Sequence, residues 1–247
     1  MPDHQTFNLT LVVLSYVVSV LGSFTALQLA VAIPEAQSTR QRFGAIVAAG
    51  AVMGVGAIWA MHFIGMLACD MGMPVTYELS MTIMSAVIAF VSCSLGFGIA
   101  SSGTFGWGKL FVGGLFMGLG VTGMHYLGMA AMMMGAFLSY DMNIVMISML
   151  IAVVASIAAL WLAFNMRGPV QMVGSALVMG VAVCGMHYTG MAAVSMDDNG
   201  SQLPTHFADG IRGDHLGETI FVLVLGMLIV ILGVLSVRQR RRAALSI

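Results

Sequence analysis

Three copies of one short motif carry the side chains in this sequence that are best suited to bind a metal. The motif, Met-His-aromatic-x-Gly-Met, stands at 61–66, 124–129 and 186–191. On a helix, the His and the Met four residues later project from the same face, about one turn apart. Imidazole binds copper, iron or zinc, whereas thioether sulfur favours Cu(I), so the combination predicts copper first. The predicted ligands are His62, His125, His187, Met66, Met129 and Met191.

Other sulfur atoms near the motifs are weaker candidates. The first Met of each motif lies about 100° round the helix from its His, which favours packing over ligation. Cys184 lies three residues before His187 on the same helix face, but the other two copies have no cysteine at that place. This second set is Met61, Met124, Met186 and Cys184. The cysteines show no CxxC spacing, so no disulfide framework is predicted.

The composition predicts that these motifs lie in a membrane. Of the 247 residues, 60% are hydrophobic and only 8% are charged, and the mean hydropathy is +1.00. One water-soluble core cannot bury so much apolar surface. About 20 apolar residues cross a bilayer, and seven stretches qualify. The predicted spans are 9–33, 43–68, 81–100, 110–134, 142–164, 170–194 and 219–237.

The basic residues predict how the chain is oriented. When the loops alternate between the two sides, every Lys and Arg except Arg212 falls on one side, which the positive-inside rule makes the cytoplasm. The N-terminus is then outside and the C-terminus cytoplasmic, in a multi-pass protein of the bacterial cytoplasmic membrane. The basic tail, 238–247, is interpreted as a topology anchor. No basic start of a signal peptide precedes the first span, and the net charge of −1 argues against a nucleic-acid surface.

The motifs belong to longer internal repeats. Three tandem helix pairs, at about 8–70, 79–134 and 141–194, each carry one motif on the second helix, and a seventh helix at 219–237 stands outside the repeat. The predicted fold class is therefore an all-α membrane protein of seven transmembrane helices, within a domain of residues 1–240. Pairs of helices share one orientation and can be related by an axis along the membrane normal. The spacing fits either one shared site at that axis or three separate His-Met sites.

The three motifs give the sequence a resemblance to the MHYT family of bacterial integral membrane sensor domains. The resemblance implies a sensor in which the motif His and Met residues, Met61, Met124 and Met186 included, bind copper and sense oxygen, carbon monoxide or nitric oxide. It also implies a cytoplasmic output partner, either a cyclic-di-GMP enzyme or a histidine kinase, because family members often continue into such domains. Phe63 replaces the motif tyrosine in the first copy, so a phenol hydroxyl is not required in every copy.

Several readings stay open at this point. The chain itself is expected to be a sensor and not an enzyme, because no acidic residue or nucleophile lies among the motif positions. Most of the 24 methionines lie in the predicted outer half, which fits capture of a soft metal from outside. A copper transporter or channel is the alternative, supported by Met53, Met117 and Met179 in the inner half. A haem protein using two of the histidines is a further alternative, and a homo-oligomer is compatible with the sequence. In the last outer loop, His206, Asp209, Asp214 and His215 are expected to be solvated rather than metal-bound.

Overall fold

The computed structural model describes residues 6–103, 106–166, 168–198, 203–213, 216–222 and 224–226, together with residues 229, 233 and 236. Within these residues six helices are long and apolar enough to cross a membrane, which makes the chain a multi-pass membrane protein, as the composition predicts. They are α1 (Leu9–Ala30), α2 (Thr39–Ala68), α3 (Leu79–Ala100), α4 (Trp107–Ala130), α5 (Met142–Asn165) and α6 (Pro169–Met191).

Polar side chains cap the first helix of each repeat. Asn8 accepts hydrogen bonds from the backbone N–H groups of the first turn of α1, Glu78 does the same for α3, and Asp141 for α5. A cap of this kind satisfies N–H groups that have no partner inside the helix. The three caps stand at equivalent places, so the helix pairs begin in the same way.

The predicted spans 9–33, 110–134 and 170–194 extend too far at their C-terminal ends. In each case the helix stops three or four residues earlier, at Ala30, Ala130 and Met191. Apolar residues continue past these ends because Ile33 is buried in a turn, Met134 is buried directly after β4 and Val194 is buried in β6. Hydropathy cannot separate a buried turn or strand from one more turn of helix.

The prediction of an all-α fold missed short antiparallel strands at one end of the bundle. In each repeat the residues before the first helix pair with the residues after the second: β1 (Thr6–Phe7) with β2 (Cys69–Asp70), β3 (Thr76–Tyr77) with β4 (Met132–Met133), and β5 (Ala136–Tyr140) with β6 (Val194–Asp198). A seventh strand, β7 (Ile211–Arg212), adds to β3. We call this end of the bundle the strand end; the charge pattern predicts that it faces outside.

The second helix of the first repeat contains a π-helical segment, Val52–Trp59, that takes up one extra residue. Met53 lies nine residues before His62, whereas the equivalent Met and His of the other two repeats, at 117 and 125 and at 179 and 187, are eight residues apart. A π-helix closes i→i+5 hydrogen bonds and so holds roughly one more residue per turn than an α-helix. Met53 and His62 therefore both stay in the interior, each about 1% exposed.

The six helices form a closed ring around a pseudo-threefold axis. Each first helix of a repeat packs against its own second helix and against the second helix of the preceding repeat. The ring closes because α1 packs against α6. This packing agrees with the predicted relation between the repeats, and it brings α2, α4 and α6, which carry the motifs, into contact with one another at the centre.

The seventh predicted helix is described only in part. A shorter apolar helix spans Leu216–Gly226, and Gly217 lies directly against Leu67 of α2. The remainder of the predicted span 219–237 falls largely outside the described residues, as does the basic tail 238–247. At the end opposite the strands, Arg42 donates to the Ser101 carbonyl and Lys109 to the Ser102 carbonyl. This location agrees with the predicted cytoplasmic side, and the sidedness itself stays a prediction.

Candidate metal centre

Three imidazole rings meet at the centre of the helix ring. Nδ1 of His62 lies 3.1 Å from Nδ1 of His187 and 3.1 Å from Nδ1 of His125, and the third Nδ1 separation is 3.4 Å. All three side chains are buried, with at most 1% exposed. The rings contact one another edge to face. Of the two arrangements that the spacing allows, the structure therefore has the histidines together in one cluster.

The motif glycines make room for the outer edges of these rings. A Cβ atom on Gly128 would lie 2.3 Å from Nε2 of His62, and the same relation joins Gly190 to His125 and Gly65 to His187. Each imidazole thus lies against the motif glycine of the next repeat, and the third lies against the first. Any side chain at these positions would occupy the space of the ring, which explains the Gly before the second Met in every copy.

The aromatic residue after each His fixes the motif helix to the first helix of the next repeat. Tyr126 donates a hydrogen bond to Ser148 on α5 at 2.7 Å, and Tyr188 donates to Ser15 on α1 at 3.1 Å. The tyrosine is the donor because each serine hydroxyl already donates to a carbonyl of its own helix. Phe63 has no hydroxyl, and Trp59, one turn earlier, donates instead to the equivalent serine, Ser85, at 2.9 Å.

The same aromatic residues pack against the strands. Phe63 contacts Tyr77 edge to face with ring centroids 5.7 Å apart. Tyr126 meets Tyr140 at 5.7 Å and Tyr188 meets Phe7 at 5.6 Å in the same geometry. Edge-to-face pairs of this kind stabilise a fold beyond the area that they bury. Each imidazole is therefore held by its own aromatic neighbour, and that neighbour by the next repeat.

The predicted methionine ligands are buried near the cluster. Met66, Met129 and Met191 are each at most 1% exposed and lie one helical turn nearer the strand end than the histidines. The first methionines of the motifs are equally buried; they are Met61, Met124 and Met186. Among the described His, Cys, Asp and Glu residues, the three histidines alone form a group able to hold a metal, so Cys184 lies outside it. The ligand roles of the methionines stay predictions.

The chemistry of the three histidines fits a bound cation. Each neutral imidazole has one N–H and one lone pair. With the protons on Nε2, the three Nδ1 lone pairs are free, and the point equidistant from the three Nδ1 atoms lies about 1.9 Å from each, close to the roughly 2.0–2.1 Å of a zinc–imidazole bond. With the proton of one ring on Nδ1, that N–H would instead donate a hydrogen bond to a neighbouring Nδ1, because all three separations lie within hydrogen-bond distance. The Nε2 atoms have no hydrogen-bond partner among the described residues, so binding of a cation at Nδ1 breaks no hydrogen bond at Nε2.

The described histidine in the loop after α6, which the charge pattern predicts to be outside, is far from such an environment. Nδ1 of His206 lies 3.4 Å from the Asp209 carboxylate, and the two side chains are 82% and 81% exposed. This geometry agrees with the prediction of a solvated loop. The other two candidates in that loop, Asp214 and His215, lie outside the described residues.

Sequence reasoning missed the supporting residues of the first repeat. The paired spacing of Tyr77-Glu78 with Tyr140-Asp141, and of Ser85 with Ser148, marks equivalent positions in repeats two and three. The structure adds Phe7, Asn8 and Ser15 as the first set. The first set lies 70 residues before the second, whereas the second lies 63 residues before the third. A search at a constant period of 63 therefore misses the first set. An aromatic-polar pair followed seven residues later by a serine is the signal that could have found it.

Comparisons with known proteins find relatives over about three quarters of the chain. The family model described as MHYT, bacterial signalling protein N terminal repeat, matches residues 56–113 and 118–176. The bifunctional diguanylate cyclase/cyclic di-GMP phosphodiesterase MucR of Pseudomonas aeruginosa is 42% identical over 194 residues, which are 76% of this chain and 28% of that protein.

Two further relatives have similar coverage. The signaling protein YkoW of Bacillus subtilis is 32% identical over 79% of this chain and 25% of its own length. The cyclic di-GMP phosphodiesterase NbdA of Pseudomonas aeruginosa is 32% identical over 76% of this chain and 24% of its own length. The chain thus spans about a quarter of the length of these relatives, and no solved structure matches it. With two matches to the family repeat and three motif copies around one cluster, the chain belongs to the MHYT family of bacterial signalling proteins.

Proposed function

We propose that this chain is a membrane sensor domain that binds one copper ion through Nδ1 of His62, His125 and His187. The observation that carries the proposal is the convergence of three buried Nδ1 atoms to within 3.1–3.4 Å, one from each repeat. Intramembrane ionisable residues are costly and usually mark a functional site. Three of them in contact, without an acidic partner in the described cluster, are better explained by a shared cation than by helix packing.

The charge of the site favours Cu(I) over a divalent ion. The histidines are neutral ligands, and a thioether layer lies one turn away. The energy of burying an ion rises with the square of its charge, so an uncompensated divalent ion costs about four times as much as a monovalent one. Thioether sulfur also selects Cu(I). Zn²⁺ binds imidazole as well, but it has no preference for thioether ligands. Haem is disfavoured, because its two axial ligands bind on opposite faces of a wide macrocycle and these three nitrogens are already in contact.

The ring packing offers a path by which the occupancy of the site alters the helices. A copper ion held there would supply a centre able to change oxidation state or bind oxygen, carbon monoxide or nitric oxide. Each imidazole lies against a glycine of the next repeat, so movement of one ring displaces a neighbouring helix. We expect this displacement to bias two arrangements of the bundle and to reach a cytoplasmic output. A cyclic-di-GMP enzyme is the output we favour, because MucR and NbdA carry those activities in their names.

Elemental analysis tests the metal. The chain would be purified in detergent and compared with the triple change His62→Ala, His125→Ala and His187→Ala, with His206→Ala as a matched control that removes an exposed histidine. We expect the wild type and the control to hold one copper ion more than the triple variant, and no haem absorption. A wild-type protein that contains no copper and takes up none on reconstitution contradicts the proposal. If the purified protein instead contains stoichiometric zinc, the site is a zinc site and the assignment of copper is wrong.

A copper transporter is the second candidate, and one observation favours it. Met53, Met117 and Met179, which are equivalent in the three repeats, line one cavity of about 40 Å³ together with Met186, on the side of the cluster away from the strands. Sulfur on both sides of the histidines is what a path across the membrane would need. Cu(I) flux into proteoliposomes distinguishes the two: a transporter gives flux that falls in the Met53→Leu, Met117→Leu and Met179→Leu variant, and a sensor gives none.

A further inference from the structure

The strands that follow the motif helices have one inward and one outward face. In the first repeat Cys69 and Met71 are 6% and 9% exposed, whereas Asp70 between them is exposed. In the second repeat Met132 and Met134 are buried at 8% and 3%. Successive side chains in an extended chain point to opposite sides. The residues seven and nine positions after each histidine therefore face the interior of the strand end.

The third repeat follows the same alternation. Val194 is buried, Ser195 is exposed and Met196 packs against the buried core. The strand registers place these residues equivalently, since Phe7 pairs with Cys69, Tyr77 with Met132 and Tyr140 with Val194. Each repeat thus supplies one methionine nine residues after its histidine. We call these three residues the outer methionines: Met71, Met134 and Met196.

The outer methionines lie beyond the ends of the motif helices, at the strand end. The histidines form the deepest layer, and the methionines four residues later form the next, one turn closer to the strands. The outer methionines follow beyond the helix ends. All three copies have methionine at this position, which lies directly after β2 and β4 in the first two repeats and within β6 in the third.

We propose that the outer methionines form a second Cu(I) site, which captures the ion at the strand end and passes it to the histidine cluster. This inference rests on the proposed copper binding at the histidines and adds its route of loading. Thioethers are neutral, soft ligands that select Cu(I) over Zn²⁺ and over hard cations. Met71 and Met134 are buried and Met196 is partly buried against the core, which limits the competition of water for the ion. The intermediate layer, with Met66, Met129 and Met191, links the two sites.

Anaerobic titration with Cu(I), buffered by a chromophoric Cu(I) chelator, tests the proposal in the full chain. The test variant is Met71→Leu, Met134→Leu and Met196→Leu. The matched control is Met84→Leu, Met142→Leu and Met146→Leu, which removes three methionines that are 56%, 66% and 58% exposed on the membrane-facing surface. Leu and Met have similar volumes, so both variants are expected to fold.

We expect two bound Cu(I) ions in the wild type and control, and one in the test variant. X-ray absorption should show both sulfur and nitrogen neighbours for the wild type, and loading of the histidine cluster should be at least about tenfold slower in the test variant. Equal stoichiometry and loading rate in the test and control variants would overturn the second site. If the triple variant does not fold, the single change Met134→Leu is measured for the same loss of sulfur neighbours.

A third variant separates this proposal from the previous one. The change of all three histidines to alanine removes the deep site and leaves the outer methionines intact. If this variant binds one Cu(I) ion with only sulfur neighbours, the outer site is supported. The ion that the variant has lost is then the one bound by the histidines. Two ions retained by this variant would overturn the histidine site instead, and loss of both would refute an independent outer site.

Discussion

The contact between His62 and Gly128 makes the replacement of one glycine a sharp test of the cluster. In Gly128→Ala the new Cβ would lie 2.3 Å from Nε2 and 3.0 Å from Cδ2 of His62, whereas ordinary contacts begin near 3.4 Å. The ring has to move by about 1 Å to relieve this overlap. The His62 ring cannot slide toward the axis, because its Nδ1 already lies 3.1 Å from Nδ1 of His125 and 3.1 Å from Nδ1 of His187. Those two atoms are themselves only 3.4 Å apart. The ring must tilt, which takes Nδ1 out of the cluster.

Two quantities follow from this tilt. Overpacking of a tight interior typically costs about 1–3 kcal/mol, so the free energy of unfolding in detergent should fall by that amount. Loss of correct ligand orientation should weaken Cu(I) binding by roughly 10- to 100-fold, measured by competition with a chromophoric chelator. Gly65→Ala and Gly190→Ala should behave in the same way, since their Cβ atoms would lie 2.4 Å and 2.2 Å from the next imidazole.

The same helix supplies the control. Gly123 on α4 has no atom within 4 Å of an added Cβ, so Gly123→Ala should leave both stability and Cu(I) affinity close to wild type. If Gly128→Ala matches Gly123→Ala in both measurements, the imidazole does not pack against the glycine as described, and the geometry of the cluster is refuted.

Three further outcomes are expected. Tyr126→Phe and Ser148→Ala should each destabilise the protein, with a coupling energy near 0.6 kcal/mol in a double-mutant cycle, typical of hydrogen bonds in membranes; additive effects would argue against the bond. Deletion of Val55 from the π-helical segment should preserve the fold and metal binding, because this segment holds one residue more than the equivalent helices. Deletion of Leu119 from α4, which has no extra residue, should abolish both. Equal loss in the two variants would contradict the extra residue in the first repeat. Hydrogen bonds from Ser80 and Met81 lower the pKa of Glu78 below its ordinary value of 4.5, so its capping contribution is present above pH 4.5 and is lost as the pH falls through the lowered pKa. Unfolding measured against pH should therefore lose part of its acid dependence in Glu78→Gln, and an unchanged profile would refute the cap.

Six of the seven predicted membrane helices could be read from the sequence because the solvent imposes them. A bilayer requires a long apolar run for each crossing, and six of the predicted runs correspond to helices. The strand pairs could not be read in this way. Strands of two to five residues have no periodicity to detect, and their buried residues, such as Met132 and Val194, continue the apolar pattern of the helix before them.

The identity of the central residues was equally accessible from the sequence. Three histidines at spacings of 63 and 62 residues, each with Gly-Met three residues later, predicted a metal-binding function and the residues that would carry it. The cost of placing an ionisable ring in a membrane explains why this signal is strong. The roles of the surrounding residues were not accessible, because Ser15 and Tyr188 are 173 positions apart and only the closing of the ring between α1 and α6 brings them into contact.

The sequence by itself therefore determined that the chain crosses a membrane, that it is built from three helix pairs, and that His62, His125 and His187 share one depth. Those properties depend on residue type and spacing along single helices. Tertiary structure alone decided that the three histidines form one cluster, which nitrogen of each ring faces the axis, and that each ring lies against a glycine of the next repeat. These features depend on how the helices rotate and approach one another, and that is set by side-chain packing between repeats, which no single segment encodes.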